Sequence, residues 1–136
     1  MITLTPRMKN WLEKMGAHIG TADKKGFPTV IVVETAKVEG GGTVLFKLTA
    51  AQLAQVRANI EENPFVALGP GGLACIRAPY QYKGPAKIKE SVLEVQVTEI
   101  YCTKPGPEAA ARLDILPKED MIKFDDTRWR DVGPPQ

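Results

Sequence analysis

Glycine and proline recur along the whole chain, and their spacing limits what it can fold into. Twelve glycines and eleven prolines make up about a sixth of the 136 residues. Because both residue types favour turns, this content predicts many short elements rather than a helical bundle. Hydrophobic residues contribute 43% and charged residues 25% of the chain, which is typical of a single globular domain, here residues 1–136, with its own core.

The charge balance argues against several classes of partner. Eighteen Lys and Arg against sixteen Asp and Glu give a formal net charge of +2, so no overall field favours a nucleic acid or a membrane surface. The chain has neither an apolar stretch of signal-peptide length at its start nor a run approaching the roughly 18 apolar residues of a membrane span. We therefore expect a cytoplasmic protein without nucleic-acid or membrane partners, with Cys75 and Cys102 as reduced thiols.

Two segments carry helix signals at both ends. The first helix is expected to begin after Thr5, with a proline in its first position, and to stop at Gly16. The second begins with a capping box, Thr49 followed three residues later by Gln52, and ends before Pro64.

Six segments are predicted to be strands: residues 17–22, 29–34, 43–48, 65–69, 80–89 and 92–101. We expect the glycines at 40–42 to join the second and third of these as a hairpin, and Gly84 and Pro85 to mark a bulge or an edge. Six strands with two outer helices predict an α+β fold, mostly antiparallel β, in the form of a small barrel. The C-terminal tail, residues 114–136, is expected to pack on the domain after a short helix over residues 108–113.

Standard catalytic and nucleotide-binding motifs are absent from the chain. A serine–histidine pair would have to use His18 and Ser91, the single members of their type, and a packed or hydrogen-bonded role is the favoured interpretation of His18. A metal could use the acidic residues of the tail, although a solvated loop is the preferred interpretation. These residues are Glu119, Asp120, Asp125 and Asp126.

A possible anion site lies where the third strand leads into the second helix. Lys47 supplies a cation, Thr49 a hydroxyl, and Arg57 projects from the helix. The free amides and the dipole of a helix start both favour an anion there, so the group could cradle a phosphate. The alternative is that Lys47 and Arg57 are ordinary surface charges and that Thr49 only caps the helix.

The order of segments is similar to that of a known family. The run AHIGTADKKGFPTVIVV, a glycine turn, VLFKL, the helix containing VRANIEENPFVAL, and YQYKGPAKI together resemble the FMN-binding split barrels related to pyridoxamine 5'-phosphate oxidase. The segment YCTKPGPEA also resembles small stand-alone members of that family. The resemblance covers roughly residues 5 to 110 and implies a six-stranded split β-barrel with peripheral helices.

The resemblance also implies a cofactor and its site. Family members pair as homodimers and hold FMN in a cleft at the dimer interface. The residues expected near the flavin ring are Val32, Val33, Glu34, Phe46, Lys47 and Leu48. The family's phosphate-binding positions fall at Gln55, Val56 and Arg57, where Gln55 lacks a charge and Val56 lacks a hydroxyl. Lys47, Thr49 and Arg57 would then supply a rearranged phosphate cradle.

Two functions follow as hypotheses. The first is an FMN-dependent oxidoreductase, similar to a flavin reductase, in which the cofactor carries electrons from a small-molecule donor to a small-molecule acceptor and no dedicated catalytic residue is needed. The second, motivated by Gln55 and Val56, is a non-catalytic barrel dimer that binds another planar ligand, such as haem or a deazaflavin, or acts as a stress-related interaction module.

Overall fold

The computed structural model describes residues 2–71, 80–103, 109–117 and 119–120. Within these ranges the chain forms two helices and eight strands. They are α1 (Pro6–Met15), β1 (Ala17–Ala22), β2 (Pro28–Val33), β3 (Lys37–Glu39), β4 (Thr43–Lys47), α2 (Ala50–Glu62), β5 (Phe65–Pro70), β6 (Tyr80–Lys89), β7 (Val92–Gln96) and β8 (Glu99–Cys102).

Both helices begin and end where the sequence predicts. Thr5 caps α1 by accepting a hydrogen bond from the amide of Met8 (3.1 Å), and Gly16 ends the helix with a positive φ. Thr49 and Gln52 form the predicted capping box at the start of α2. These local signals hold because each one satisfies backbone groups that a helix end leaves without partners.

The strands form an antiparallel sheet with the order β2-β1-β5-β6-β7-β4-β3, and β8 lies beside β6. Strand β6 belongs to both halves of this sheet. Its first residues pair with β5 and β8, and its last residues pair with β7. The sheet therefore folds over at β6 and wraps around a core. This arrangement confirms the prediction of an α+β fold with mostly antiparallel strands.

Gly84 lies where β6 passes from one half of the sheet to the other. A side chain here would overlap the carbonyl oxygen of Gln96 on the neighbouring segment. The amide of Thr98 donates to the carbonyl of Lys83 (2.8 Å) directly beside this crossing. The glycine therefore marks a close approach of two backbones within a continuous strand, where the sequence predicted a bulge or an edge.

The core fills the space inside the folded sheet and beneath the helices. Alternate residues of each strand point into it, so Ile19 in β1 is fully buried while His18 next to it is exposed. The largest fully buried side chains are Tyr80, Tyr82, Phe46, Leu4, Met8, Leu12, Ile19, Leu68, Leu93 and Ile100. The opposite side of strands β2, β1, β5, β6 and β8 faces outward, and we call it the outer face.

The expected number of six strands is wrong, because the described residues contain eight. The segment predicted as one strand over residues 92–101 breaks after Gln96, and its second part leaves β7 and pairs with β6 as strand β8. The other addition is the short β3. Its three residues pair only with β4, too short a run to give a periodic signal.

The predicted hairpin between residues 29–34 and 43–48 is also wrong. The glycine turn joins β3 to β4, while β2 pairs with β1 on the other side of the sheet order. In the described part of residues 108–113 the chain makes a turn and a single bridge from Arg112 to Tyr101 rather than a helix. Leu113 is buried and Leu116 packs against the core, so the start of the tail packs as expected.

Three other expectations concern residues only partly covered by the structure. Cys102 is a buried free thiol, while Cys75 and the acidic residues Asp125 and Asp126 lie outside the described residues. Within the described ranges, no group of side chains is arranged to hold a metal ion. No described helix has both the length and the apolar composition needed to cross a membrane.

Candidate functional site

The start of α2 is tied directly to the end of β2. The side-chain amide of Gln52 donates a hydrogen bond to the carbonyl oxygen of Val32 (2.8 Å). The same carboxamide accepts a hydrogen bond from the amide of Thr49 (3.0 Å), while the Thr49 hydroxyl accepts from the Gln52 amide (3.1 Å). One glutamine thus closes the capping box and fixes the helix start against the strand.

This corner combines an apolar surface with a site that favours anions. Val30 and Val32 lie on the outer face of β2 and are 64% and 51% exposed. The first turn of α2 lies next to them, and the amides of Ala50 and Ala51 have no intrahelical partner there. The exposed side chain of Lys47 precedes the helix by three residues. A ligand with a planar apolar part and an anionic tail matches both surfaces.

Three of the nine predicted site residues point away from this surface. Val33, Phe46 and Leu48 are at most 7% exposed and belong to the core. Only their main chains can face a ligand. The exposed side chains among the predicted residues are Val32, Glu34, Lys47, Thr49, Gln55 and Arg57.

The helix separates two residues predicted to bind one phosphate. Gln55 and Arg57 are two positions apart, so their side chains leave α2 about 160° apart. Gln55 shares a flank with Gln52 and with Asn59, whose side-chain amide donates to the Thr21 hydroxyl of β1 (3.0 Å). Arg57 lies on the opposite flank, about two turns from the helix start. The geometry of α2 therefore puts Gln55, but not Arg57, on the flank that carries Gln52 and faces β1 and β2.

The resemblance implies a phosphate-binding position at Val56, but the structure places this residue in the core. Its side chain is fully buried in the core beside Ile60. A hydroxyl at this position would face the core and not the ligand surface. The lack of a hydroxyl at Val56 therefore removes no contact from this corner, and Gln55 is left as the one departure from the family pattern that faces solvent.

The sequence interpretation missed the second role of Gln52. The pattern of Thr49 and Gln52 shows the capping box, but the hydrogen bond to Val32 joins residues 20 positions apart. His18, the register partner of Val32 on β1, is exposed. The Nδ1 of His18 lies 3.3 Å from the carbonyl oxygen of Pro70. His18 is therefore hydrogen-bonded, as the sequence favours.

A polar cluster at the other end of the outer face fixes the start of the tail. Arg112 contacts both carboxylate oxygens of Asp114 (3.0 and 3.1 Å from Nε), and the Ile100 amide donates to Asp114 (2.8 Å). Burial acts to raise the pKa of Asp114, but the bonds from Arg112 and Ile100 outweigh it and hold that pKa below its usual value. Partial burial and a hydrogen bond to Glu99 raise the pKa of Tyr101. The cluster holds the segment after residue 108 on β8.

No protein-family model matches the chain. An uncharacterized protein of Methanocaldococcus jannaschii is 32% identical to it, and the match covers 80% of this chain and 87% of that protein. The chain belongs to that protein's family. The relative's description assigns no activity, so the relationship itself leaves the function open.

Solved structures identify the fold that this family member has. HupZ of Group A Streptococcus matches with a TM-score of 0.63 and 19% identity, over 79% of this chain and 99% of HupZ. A candidate pyridoxamine 5'-phosphate oxidase of Lactobacillus delbrueckii matches with a TM-score of 0.61 and 15% identity, over 74% and 94%. An FMN-binding protein of Syntrophomonas wolfei matches with a TM-score of 0.57 and 10% identity, over 72% and 83%. The chain therefore has the split-barrel fold of the pyridoxamine 5'-phosphate oxidase-like proteins.

Proposed function

We propose that this protein binds FMN at the corner between β2 and α2 and acts as an FMN-dependent oxidoreductase. The observation that carries the proposal is the hydrogen bond from Gln52 to Val32 (2.8 Å), because it places an exposed apolar strip directly beside a helix start. The fold likeness to an FMN-binding protein supports a flavin as the ligand.

The residues of this corner fit the two chemical parts of FMN. The side chains of Val30 and Val32 offer an exposed apolar surface to the planar ring. The first turn of α2 and the ammonium of Lys47 suit the phosphate, since a helix N-terminus and a cation both favour a dianion. Thr49 adds a hydroxyl that can still donate, because its bond with the Gln52 amide uses it only as an acceptor.

When bound, FMN supplies hydride and electron transfer at its ring. The chain's own residues bind and orient the cofactor. The hydrogen bonds between Gln52, Val32 and Thr49 fix the helix start before any ligand arrives, so little ordering is needed on binding. The apolar side chains of β2 exclude water from the covered side of the ring.

A second subunit would complete the site, and we include a homodimer in the proposal. Val30 and Val32 are exposed on β2, and Phe27, in the turn before this strand, is 69% exposed. Exposed apolar patches are a common sign of a subunit interface. Light scattering should therefore give the mass of two chains, and Val30→Lys should lower it to the mass of one. A wild-type protein with the mass of one chain would contradict this part of the proposal.

The phosphate position is tested by comparing FMN with riboflavin, which has the same ring and no phosphate. We expect the wild-type protein to bind FMN at least about tenfold more tightly, because charge-assisted contacts are worth about 1.5–3 kcal/mol. In Lys47→Gln that ratio should fall several-fold, measured by quenching of flavin fluorescence.

Lys25→Gln is the matched control for this titration, since Lys25 is an exposed lysine in the turn at the far end of β2. It should leave the FMN-to-riboflavin ratio unchanged. Equal affinity for the two flavins in the wild-type protein would contradict a phosphate site at this corner.

A further inference from the structure

A groove opens on the outer face beside the proposed flavin corner, since Gly20 in the groove is the register partner of Val30. It has a volume of about 390 Å³, and we call it the outer groove, defined by Gly20, Phe65, Ala67, Lys83 and Glu99. Four of these residues form one row across the sheet, since Gly20 is opposite Ala67, Ala67 opposite Lys83, and Lys83 opposite Glu99. The volume is within the usual range for small-molecule sites.

The floor of the outer groove is flat because its central residues have almost no side chain. Gly20 lies inside β1 with an ordinary φ, and a Cβ added there would meet only the carbonyl oxygen of Ala67 at 3.7 Å. The backbone therefore does not require glycine, although glycine weakens a strand interior. A glycine inside a strand often marks a bulge, a bend, or a place where a ligand or another backbone comes close. Phe65, 63% exposed, forms an apolar wall beside the floor.

The cation of the outer groove is held in place without a carboxylate partner. The Nζ of Lys83 lies 4.8 Å from the centre of the Tyr101 ring, a cation–π contact. Its carbonyl accepts hydrogen bonds from the amide (2.8 Å) and the hydroxyl (3.3 Å) of Thr98. In the part of the chain that the structure describes, no carboxylate pairs with this ammonium group.

The carboxylate of the outer groove already has partners. Glu99 accepts a hydrogen bond from the Tyr101 hydroxyl (3.2 Å) and pairs with Arg112 (3.7 Å). Arg112 also pairs with Asp114, so Glu99 shares this partner, whereas no carboxylate among the described residues forms a salt bridge to the Lys83 ammonium. A ligand entering the groove meets an apolar floor with the Lys83 side chain and the Glu99 carboxylate at its end, and the Nζ of Lys83 lies over the ring of Tyr101, which is not part of the lining.

We propose that the outer groove binds a small aromatic carboxylate, with its ring on the floor formed by Gly20 and Ala67 and its carboxylate at the Nζ of Lys83. The groove adjoins the flavin corner at Gly20, the register partner of Val30, but none of the nine residues expected at the cofactor lines it. The proposal does not depend on flavin binding.

Two probes of the same shape test this site by isothermal titration calorimetry. They are 2-naphthoate and its neutral counterpart 2-naphthamide. We expect the wild-type protein to bind naphthoate about tenfold more tightly than naphthamide, the difference that one charge-assisted contact supplies. In Lys83→Gln this preference should disappear, while naphthamide binding stays as in the wild type and shows that the groove is intact.

Lys89→Gln makes the same charge change at the end of the same strand and should leave both affinities unchanged. Ala67→Phe fills the floor and should abolish binding of both probes. Three results would overturn the proposal. The wild-type protein could bind the two probes equally, Lys83→Gln and Lys89→Gln could lose the same amount of naphthoate affinity, or FMN could displace bound naphthoate. A change in molar mass in Ala67→Phe, with no probe bound by the wild type, would show that a second copy of the chain occupies the groove instead.

Discussion

Replacing glycine by alanine should have opposite effects on stability at two positions in neighbouring strands. At Gly84 a methyl group would overlap the carbonyl oxygen of Gln96, whereas at Gly69 it would meet nothing within 4 Å. Gly84→Ala should therefore lower the free energy of unfolding by at least about 2 kcal/mol, because the backbones must move apart. Gly69→Ala should raise it by up to about 1 kcal/mol, since alanine loses less backbone entropy on folding.

Chemical denaturation of the two variants beside the wild type measures both changes. Equal effects would mean that the contact between Gly84 and Gln96 does not constrain the fold. The sequence alone marks Gly84 only as unusual in a strand. The reason lies in Gln96, a residue 12 positions later, whose approach becomes visible only when β6 and β7 are placed together.

Asp114 makes stability depend on pH. Its pKa in the folded protein is below the usual value, because the hydrogen bonds of Arg112 and Ile100 outweigh the effect of burial. This contribution is complete above the unfolded pKa, about 3.9, and is lost as the pH falls through the folded value. Asp114→Asn should therefore cost about 1–2 kcal/mol of unfolding free energy at pH 7, and the cost should shrink as the pH falls below about 4.

Glu99→Gln is the control for this prediction. Glu99 also pairs with Arg112, but at 3.7 Å and with both side chains more than a third exposed, so its loss should cost less than about 1 kcal/mol. Unfolding measured at pH 7, 5 and 3 separates the two cases. A cost for Asp114→Asn that stays constant over this range would contradict the role of its charge.

At the scale of elements, signals within a few residues predict the structure and pairings between distant residues do not. The ends of α1 and α2 follow from Thr5, Gly16 and the capping box, because each cap acts on its own helix. The break between β7 and β8 has no such signal. Its alternating pattern continues through Val97, and only the pairing of β8 with β6 separates the two strands.

In the candidate site, too, local features can be predicted from the sequence and contacts between distant residues cannot. The sequence predicts the helix start with Lys47 and Thr49, because a cap and a nearby cation are local features. It places Gln55 and Arg57 in one phosphate site, although the geometry of α2 puts them on opposite flanks. The outer groove could not be predicted, since its row of residues comes from four different strands.

At the scale of the molecule, the split barrel brings two candidate ligand surfaces onto one face. The flavin corner lies at β2, and the outer groove lies across β1, β5, β6 and β8. Val30 in the first surface is the register partner of Gly20 in the second, and neighbouring strands are about 4.8 Å apart. Ligands bound at both would therefore lie close together, a suitable arrangement for two reactants that exchange electrons.

Equilibrium dialysis of the purified full-length chain against FMN tests the central claim most directly. The bound flavin is read from its visible spectrum, and the chain concentration is measured independently. The corner between β2 and α2 occurs once per chain, so the result we predict is saturation at one FMN per chain. No bound FMN, with the protein folded by circular dichroism, would contradict the claim that this split barrel is a flavoprotein.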